Sequence, residues 1–203
     1  MPSAVWVRMA FVRIPFPVVL ASASPRRQEL LRRLVDGFEV LPAHLDEDAL
    51  VDPDPWVTAQ RIAREKALAV SALRPDALVI AGDTVVAVEE VGVWRQLAKP
   101  RDAAHAEEML ADLSGRTHTV VTGVCLRWPS GMSAFTETAR VTFRKLDKGE
   151  IARYVATGSP LDKAGAYGLQ DESQDFIERV EGDVDTVIGL PVARLQEALQ
   201  AVR

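Results

Sequence analysis

The chain has 203 residues, 48% of them hydrophobic, which suits one large domain or two tightly joined lobes and argues against disorder. Its formal net charge is −5, opposite in sign to the surface of a non-specific nucleic-acid binder, so a polyanion must be met in a local basic pocket. The single cysteine, Cys125, excludes a disulfide framework or a zinc cluster and fits a reducing, cytoplasmic setting. It stands in the apolar run Val124-Cys125-Leu126, where a thiol behaves as a small hydrophobe.

Residues 1–15 are read as an N-terminal extension and 16–203 as one domain. Arg13 and Pro15 break the early apolar run, no small-residue cleavage site follows, and Met9 is an alternative start. No stretch reaches the roughly 18 apolar residues of a membrane span. The run from Pro17 to Ala21 predicts a short strand. Ser24-Pro25 then opens a helix carrying Leu30, Leu31 and Leu34, with an N-cap followed by proline at the first helical position. Phe38 to Leu41 predicts a second strand, and Asp46, Glu47 and Asp48 an acidic loop. A long helix is expected from Pro55 to Leu73. Ala77 to Val88 is a buried strand interrupted at Gly82-Asp83-Thr84, and Val91 to Leu97 pairs back on it around Gly92. Asp102 caps a helix that runs to Leu113 and is stopped by Ser114-Gly115. Thr117 to Leu126 and Ala134 to Phe143 predict antiparallel strands joined through Pro129, Ser130 and Gly131. A helix from Lys148 to Thr157, a Gly-rich loop from Ala164 to Gln170, strands over Phe176 to Val180 and Thr186 to Ile188, and a helix from Pro191 to Val202 complete a mixed α/β pattern.

Four residues break local rules. Arg26 and Arg27 occupy the first turn of a helix, where the dipole disfavours cations. Together with free N–H groups and the hydroxyls of Ser22 and Ser24 they suit a phosphate, the alternative being two solvated arginines. Lys66 lies within the stripe Ala59, Ile62, Ala63, Val70 and Leu73, so it snorkels or meets an anion. Asp83 interrupts an otherwise apolar strand, which is costly unless the carboxylate finds a metal, cations or N–H donors; a tight turn between two short strands is the alternative. Gly82 beside it allows a bulge or a close ligand. Glu47 and Lys99 are unremarkable alone. The histidines at 44, 105 and 118 lack ligand spacing, and neither a Walker loop, a GxGxxG motif nor a serine elbow is present.

Taken in order, Leu20-Ala-Ser-Ala-Ser-Pro-Arg-Arg27, Asp46-Glu47, Ala63-Arg-Glu-Lys-Ala67, Gly82-Asp-Thr-Val85, Lys99-Pro100, Ser114-Gly-Arg-Thr-His-Thr-Val120, Asp162-Lys-Ala-Gly-Ala-Tyr-Gly-Leu-Gln170 and Val187-Ile-Gly-Leu-Pro191 resemble the Maf family of nucleotide pyrophosphatases. The resemblance implies an elongated mixed sheet flanked by helices, in two lobes around a central cleft, as in inosine-triphosphatase-like folds. It implies hydrolysis of a nucleoside triphosphate to the monophosphate and pyrophosphate. Asp83 then matches the proton acceptor, and Glu47 and Asp83 the carboxylates near a divalent cation, Mg²⁺ or Mn²⁺. Ser22, Arg27, Lys66 and Lys99 match groups around the phosphates, and Arg26, Thr84 and Gln170 positions that separate subfamilies. Thr84 with the Asp162–Gln170 segment resembles the branch acting on dTTP and UTP, and modified pyrimidine nucleotides are also plausible substrates. Three departures stand out: Gly82 for a common alanine, Asp171 for a common glycine, and Gly182-Asp-Val-Asp-Thr186 for the usual Gly-Ser-Tyr type of segment, the last two expected near the base pocket. The rival readings are a non-catalytic nucleotide-binding regulator of cell division, a function with which the family is associated, and a phosphatase that removes single phosphates. Expected partners are the nucleotide alone, with no nucleic acid and no membrane; a homodimer remains open.

Overall fold

The structure, a computed structural model, describes residues 13–203; the reading placed on Met9, and most of the expected extension, lie outside the described residues. The fold is mixed α/β, built on one seven-stranded sheet. At its centre is β3 (Leu78–Glu90), 13 residues long. On one edge β3 pairs antiparallel with β5 (Thr117–Trp128), itself joined by a tight hairpin to β6 (Gly131–Phe143), beyond which lies β7 (Ile177–Glu181). The other edge is shared. β1 (Val18–Leu20) runs parallel to Leu78–Ile80, with β2 (Glu39–Val40) outside it, while β4 (Val93–Leu97) folds back on Val86–Glu90. Among the described residues no strand pairs with β3 on this edge between Ala81 and Val85. The sheet is therefore slit beside Asp83.

Expected strand breaks at Gly82-Asp83-Thr84 do not occur. The β3–β5 register runs without interruption from Val79↔Arg127 to Ala87↔Thr119, so Asp83 is neither in a turn nor in a bulge. A second correction concerns Thr186 to Ile188. Their β-branched character predicts a strand, but they end a short helix, α5 (Val184–Ile188). Asp183 caps it by accepting from the Asp185 N–H, and Gly189 closes it at φ 123°, a conformation that favours glycine.

Successive residues of a strand face opposite ways, and the helices cover β3 accordingly. Leu78 and Ile80 pack against α1 (Pro25–Leu31) and α6 (Val192–Leu199). Further along the same face, Val86 and Val88 pack with α3 (Ala103–Leu113) and α4 (Lys148–Ala156). Gly82 and Thr84 fall between these two cores. The opposite face, with Val79, Ala81 and Val85, lies under α2 (Pro55–Leu73), whose Ala59, Ala63, Ala67 and Val70 are buried. Leu73, expected on that stripe, is exposed at the helix end. The small residues of α2 let it approach closely. At Gly123, the partner of Asp83 in β5, a Cβ would come within 2.3 Å of the Ala59 carbonyl oxygen. No helix among the described residues is long and apolar enough to cross a membrane.

Candidate active site

The slit opens into a cavity of about 460 Å³, within the size range of small-molecule sites. Arg26, Arg27, Glu47, Lys66, Asp83, Thr84, Lys99 and Gln170 all reach its wall, so residues spread over most of the chain meet in one place. Ser22 does not line it; it is buried behind Arg27.

Lys66 is the hub. Its burial was foreseeable from the apolar stripe, and here it is resolved by anions. Nζ lies 2.8 Å from Asp83 Oδ1 and 2.9 Å from Glu47 Oε1. Asp83 is only 8% exposed, which alone would make its charge prohibitive. Burial raises its pKa above the ordinary carboxylate value, while Lys66 and Arg27 pull the other way. The result is a carboxylate more basic than one in water yet held beside two cations, properties suited to a general base. Glu47 is more exposed and comes from the acidic segment before α2, so the pair has one buried and one accessible member.

On the other face of β3, Arg27 is fixed by acceptors at each end of its guanidinium. Ser24 caps α1 by accepting the Arg27 N–H, so the backbone donor is already used. The side chain donates from Nε to the Gly189 carbonyl at 2.9 Å, from Nη1 to Ser22 Oγ at 3.3 Å and from Nη2 to Thr84 Oγ1 at 3.0 Å. Behind Thr84, Thr122 Oγ1 lies 2.9 Å away and donates to the Thr186 carbonyl at 2.7 Å. A hydroxyl has one proton, so the direction of the chain is determined. Thr122 spends its proton on Thr186; Thr84 must donate to Thr122 and accept from Arg27. Thr84 is thus a support for the arginine fork. Gly82 keeps the approach open, since a Cβ there would lie 3.3 Å from Arg27 Nε.

Arg26 sits at the rim, 3.4 Å from exposed Asp162, which also pairs with Lys163 at 2.7 Å. Lys99 is exposed two residues past β4, and Gln170 is exposed on the wall facing solvent. Tyr167 lines the cavity from the same segment, its hydroxyl 2.7 Å from Nε2 of buried His118. Burial, with Arg116 nearby, lowers the His118 pKa to about 4, so the ring is neutral at pH 7. Cys125 is buried in the core, and its burial pushes the thiol up to about 11, against a nucleophilic role. The departure at Gly182–Thr186 has a structural use: Asp183 caps α5, and Asp185 receives Arg33 at 2.8 Å, anchoring the helix whose Thr186 carbonyl ends the hydroxyl chain.

No group of three or more His, Cys, Asp or Glu side chains fit to hold a metal forms among the described residues. The carboxylates that do converge are Asp83 and Glu47, both on one ammonium. Such a pair suits a Mg²⁺-like ion that keeps several waters and completes its shell with phosphate oxygens, rather than an ion caged by protein alone.

Fold and cleft together define the class: an α/β protein with a pocket of small-molecule size, lined by cations and by a buried carboxylate, in a chain acidic overall. The sequence profile described as Maf-like protein matches residues 17–202, and the chain belongs to that family. Relatives named dTTP/UTP pyrophosphatase include proteins of Koribacter versatilis, 46% identical over 183 residues (90% of this chain, 93% of the relative), and Moorella thermoacetica, 47% identical over 186 residues (90% and 93%). A third, from Aquifex aeolicus, is 42% identical over 184 residues, covering 90% of this chain and 94% of its own.

Proposed function

We propose that this protein hydrolyses dTTP and UTP, releasing pyrophosphate and the nucleoside monophosphate. The observation that carries the reading is the buried Asp83 carboxylate held on Lys66, beside an arginine fork, in a pocket large enough for a nucleotide. The names of the relatives above supply the substrate class.

Arg27, Lys66 and Lys99 neutralise the triphosphate, Arg27 with its fork already set by Gly189, Ser22 and Thr84. Lys66 orients Asp83 and favours its charged form, while burial raises its basicity. Asp83 then accepts the proton of a water attacking the α-phosphorus. The bond from that phosphorus to the bridging oxygen breaks, and pyrophosphate leaves with the bond's electron pair. Positioning and charge neutralisation supply most of the acceleration in such reactions. Glu47 and Asp83, with phosphate oxygens, would hold a divalent cation, Mg²⁺ or Mn²⁺, which would neutralise the phosphates and acidify the attacking water. Gln170, with a donor and an acceptor, reads the base edge, and Arg26 lies on the same rim. A nucleoside triphosphate substrate supports a cytoplasmic setting for the reaction.

The test is a panel of nucleoside triphosphates with purified protein and Mg²⁺, both products identified by chromatography. Pyrophosphate with dTMP or UMP is expected. Orthophosphate would favour a single-phosphate phosphatase, and binding without any release a regulator of cell division; either result overturns the proposal.

A further inference from the structure

Asp171 follows Gln170 but is not among the residues lining the cavity. It stands behind the wall and gathers donors from the segments that build it. Oδ1 accepts the Ser173 N–H at 3.0 Å. Oδ2 accepts the Tyr154 hydroxyl of α4 at 3.0 Å and the Ser159 hydroxyl at 2.8 Å, and lies 3.4 Å from Lys163 Nζ. Ser173 carries the connection inward. Its hydroxyl lies 2.6 Å from Asp171 Oδ1, accepts the Gly168 N–H at 3.0 Å and lies 2.8 Å from the Gly168 carbonyl oxygen. The stem of Lys163 runs over the same glycine, where a Cβ would come within 2.9 Å of Lys163 Cδ.

One carboxylate therefore ties down the wall at both ends: at Lys163, where the segment starts, and at Gly168 through Ser173. Between and beyond them Tyr167, Gly168, Leu169 and Gln170 face the cavity. Burial pushes the Asp171 carboxyl up, but the hydrogen bonds from Ser173, Ser159 and Tyr154 outweigh it and hold it below the ordinary range, so it is ionised at neutral pH. Charge-assisted bonds of this kind are roughly twice as strong as neutral ones. Gln170 is exposed, so its position depends on the backbone from which it hangs.

We propose that Asp171 is a positioning residue that fixes the Gly168–Gln170 wall and thereby sets substrate affinity and base preference. The inference rests on the pyrophosphatase reading of the cavity. Its test compares wild type with Asp171→Asn, which keeps the shape and removes the charge, and with Ser173→Ala, which keeps the backbone bond to Asp171 and removes the hydroxyl that joins Asp171 to Gly168. Steady-state constants are measured for dTTP, UTP and CTP by pyrophosphate release, with amide hydrogen exchange over 163–170 and Tm on the same samples. In both variants KM for the preferred nucleotide should rise about fivefold with kcat within about twofold, the preference among the three should narrow, and exchange over 163–170 should quicken. Unchanged KM, preference and exchange in the folded variants would overturn the proposal, as would a fall in Tm with KM and preference intact. A wild type that releases no pyrophosphate refutes the reading of the site itself and with it the role in base preference. A wild type that turns over beside an unaltered Asp171→Asn refutes this inference alone.

Discussion

Asp83→Asn is the sharpest perturbation available. Asparagine keeps the volume of the buried side chain and an acceptor toward Lys66 Nζ, now 2.8 Å away, but cannot take up a proton at neutral pH. The backbone pairing of residue 83 with Gly123 needs no side chain and should persist. General-base assistance typically contributes about 10²–10⁴-fold. At about 1.36 kcal/mol per decade that is a barrier increase of about 2.7–5.4 kcal/mol, and kcat should fall accordingly. Stability should move the other way. The raised pKa means that the folded protein binds this proton more tightly than the unfolded chain. Wild-type stability therefore declines as pH climbs from the ordinary carboxylate value through the raised one, and the variant should lack that decline. At pH 7 its Tm should equal or exceed that of wild type. Lys66→Met completes the argument, because it leaves Asp83 and Glu47 with no shared cation. Removing one partner of a buried pair costs about 3–5 kcal/mol, so Lys66→Met should lose that much in urea unfolding and the double variant clearly less. Pyrophosphate release and thermal melts on the same samples decide the matter. A folded Asp83→Asn protein within tenfold of wild-type turnover would refute the assignment of the base, and a collapse of its Tm would recast Asp83 as scaffolding.

Four further outcomes are expected. His118 is held neutral by burial, with a pKa lowered from 6.5 to about 4, so wild-type stability should fall as pH drops through that interval, by up to about 3 kcal/mol; His118→Gln should flatten the curve in chemical denaturation. Gly123→Ala should lower stability by at least about 1–3 kcal/mol, since the new methyl meets the α2 backbone rather than a side chain that can turn away, and a Tm equal to wild type would contradict the close approach. Thr122→Val removes the acceptor for the Thr84 proton, loosens the Arg27 fork and should raise KM by about three- to tenfold; unchanged kinetics would show that the hydroxyl chain does not matter. Stripping divalent cations with EDTA should abolish pyrophosphate release, excess Mg²⁺ or Mn²⁺ should restore it, and full activity in EDTA would exclude Glu47 and Asp83 as ion ligands in catalysis.

Much of the site was legible because its residues offend local rules. Lys66 sits where a helix wants an apolar face, Asp83 where a strand does, and Arg26 and Arg27 where a dipole repels them; the fold brings all of them to one cavity. The start of α1 was legible from Ser24-Pro25 and that of α2 was expected at Pro55, where the structure adds Asp54 as its cap. What escaped has ordinary local chemistry. Thr122 and Gly123 read as routine strand residues, and only the register with Thr84 and Asp83 gives them work. Gly189 matters for a carbonyl aimed at Arg27, which depends on its backbone conformation. The predicted break at Gly82–Thr84 failed because cost was assigned to Asp83 without knowledge of its surroundings: an opposing glycine, an unpaired strand edge and a lysine remove the need for a turn. Thr186–Ile188 misled because β-branching is a weak preference, and the cap at Asp183 and glycine stop at 189 outweigh it.

The slit has a consequence for how this site tolerates change. Asp83 and Thr84 are adjacent, yet one reaches Lys66 beneath the sheet and the other reaches Arg27 above it. Inserting or deleting one residue ahead of them, with pairing otherwise kept, turns each to its neighbour's side: a hydroxyl would meet the ammonium and a carboxylate the guanidinium. Every ingredient would survive and the apparatus would not, so drift in the length of β3 is closed to this protein even where drift in its composition is open.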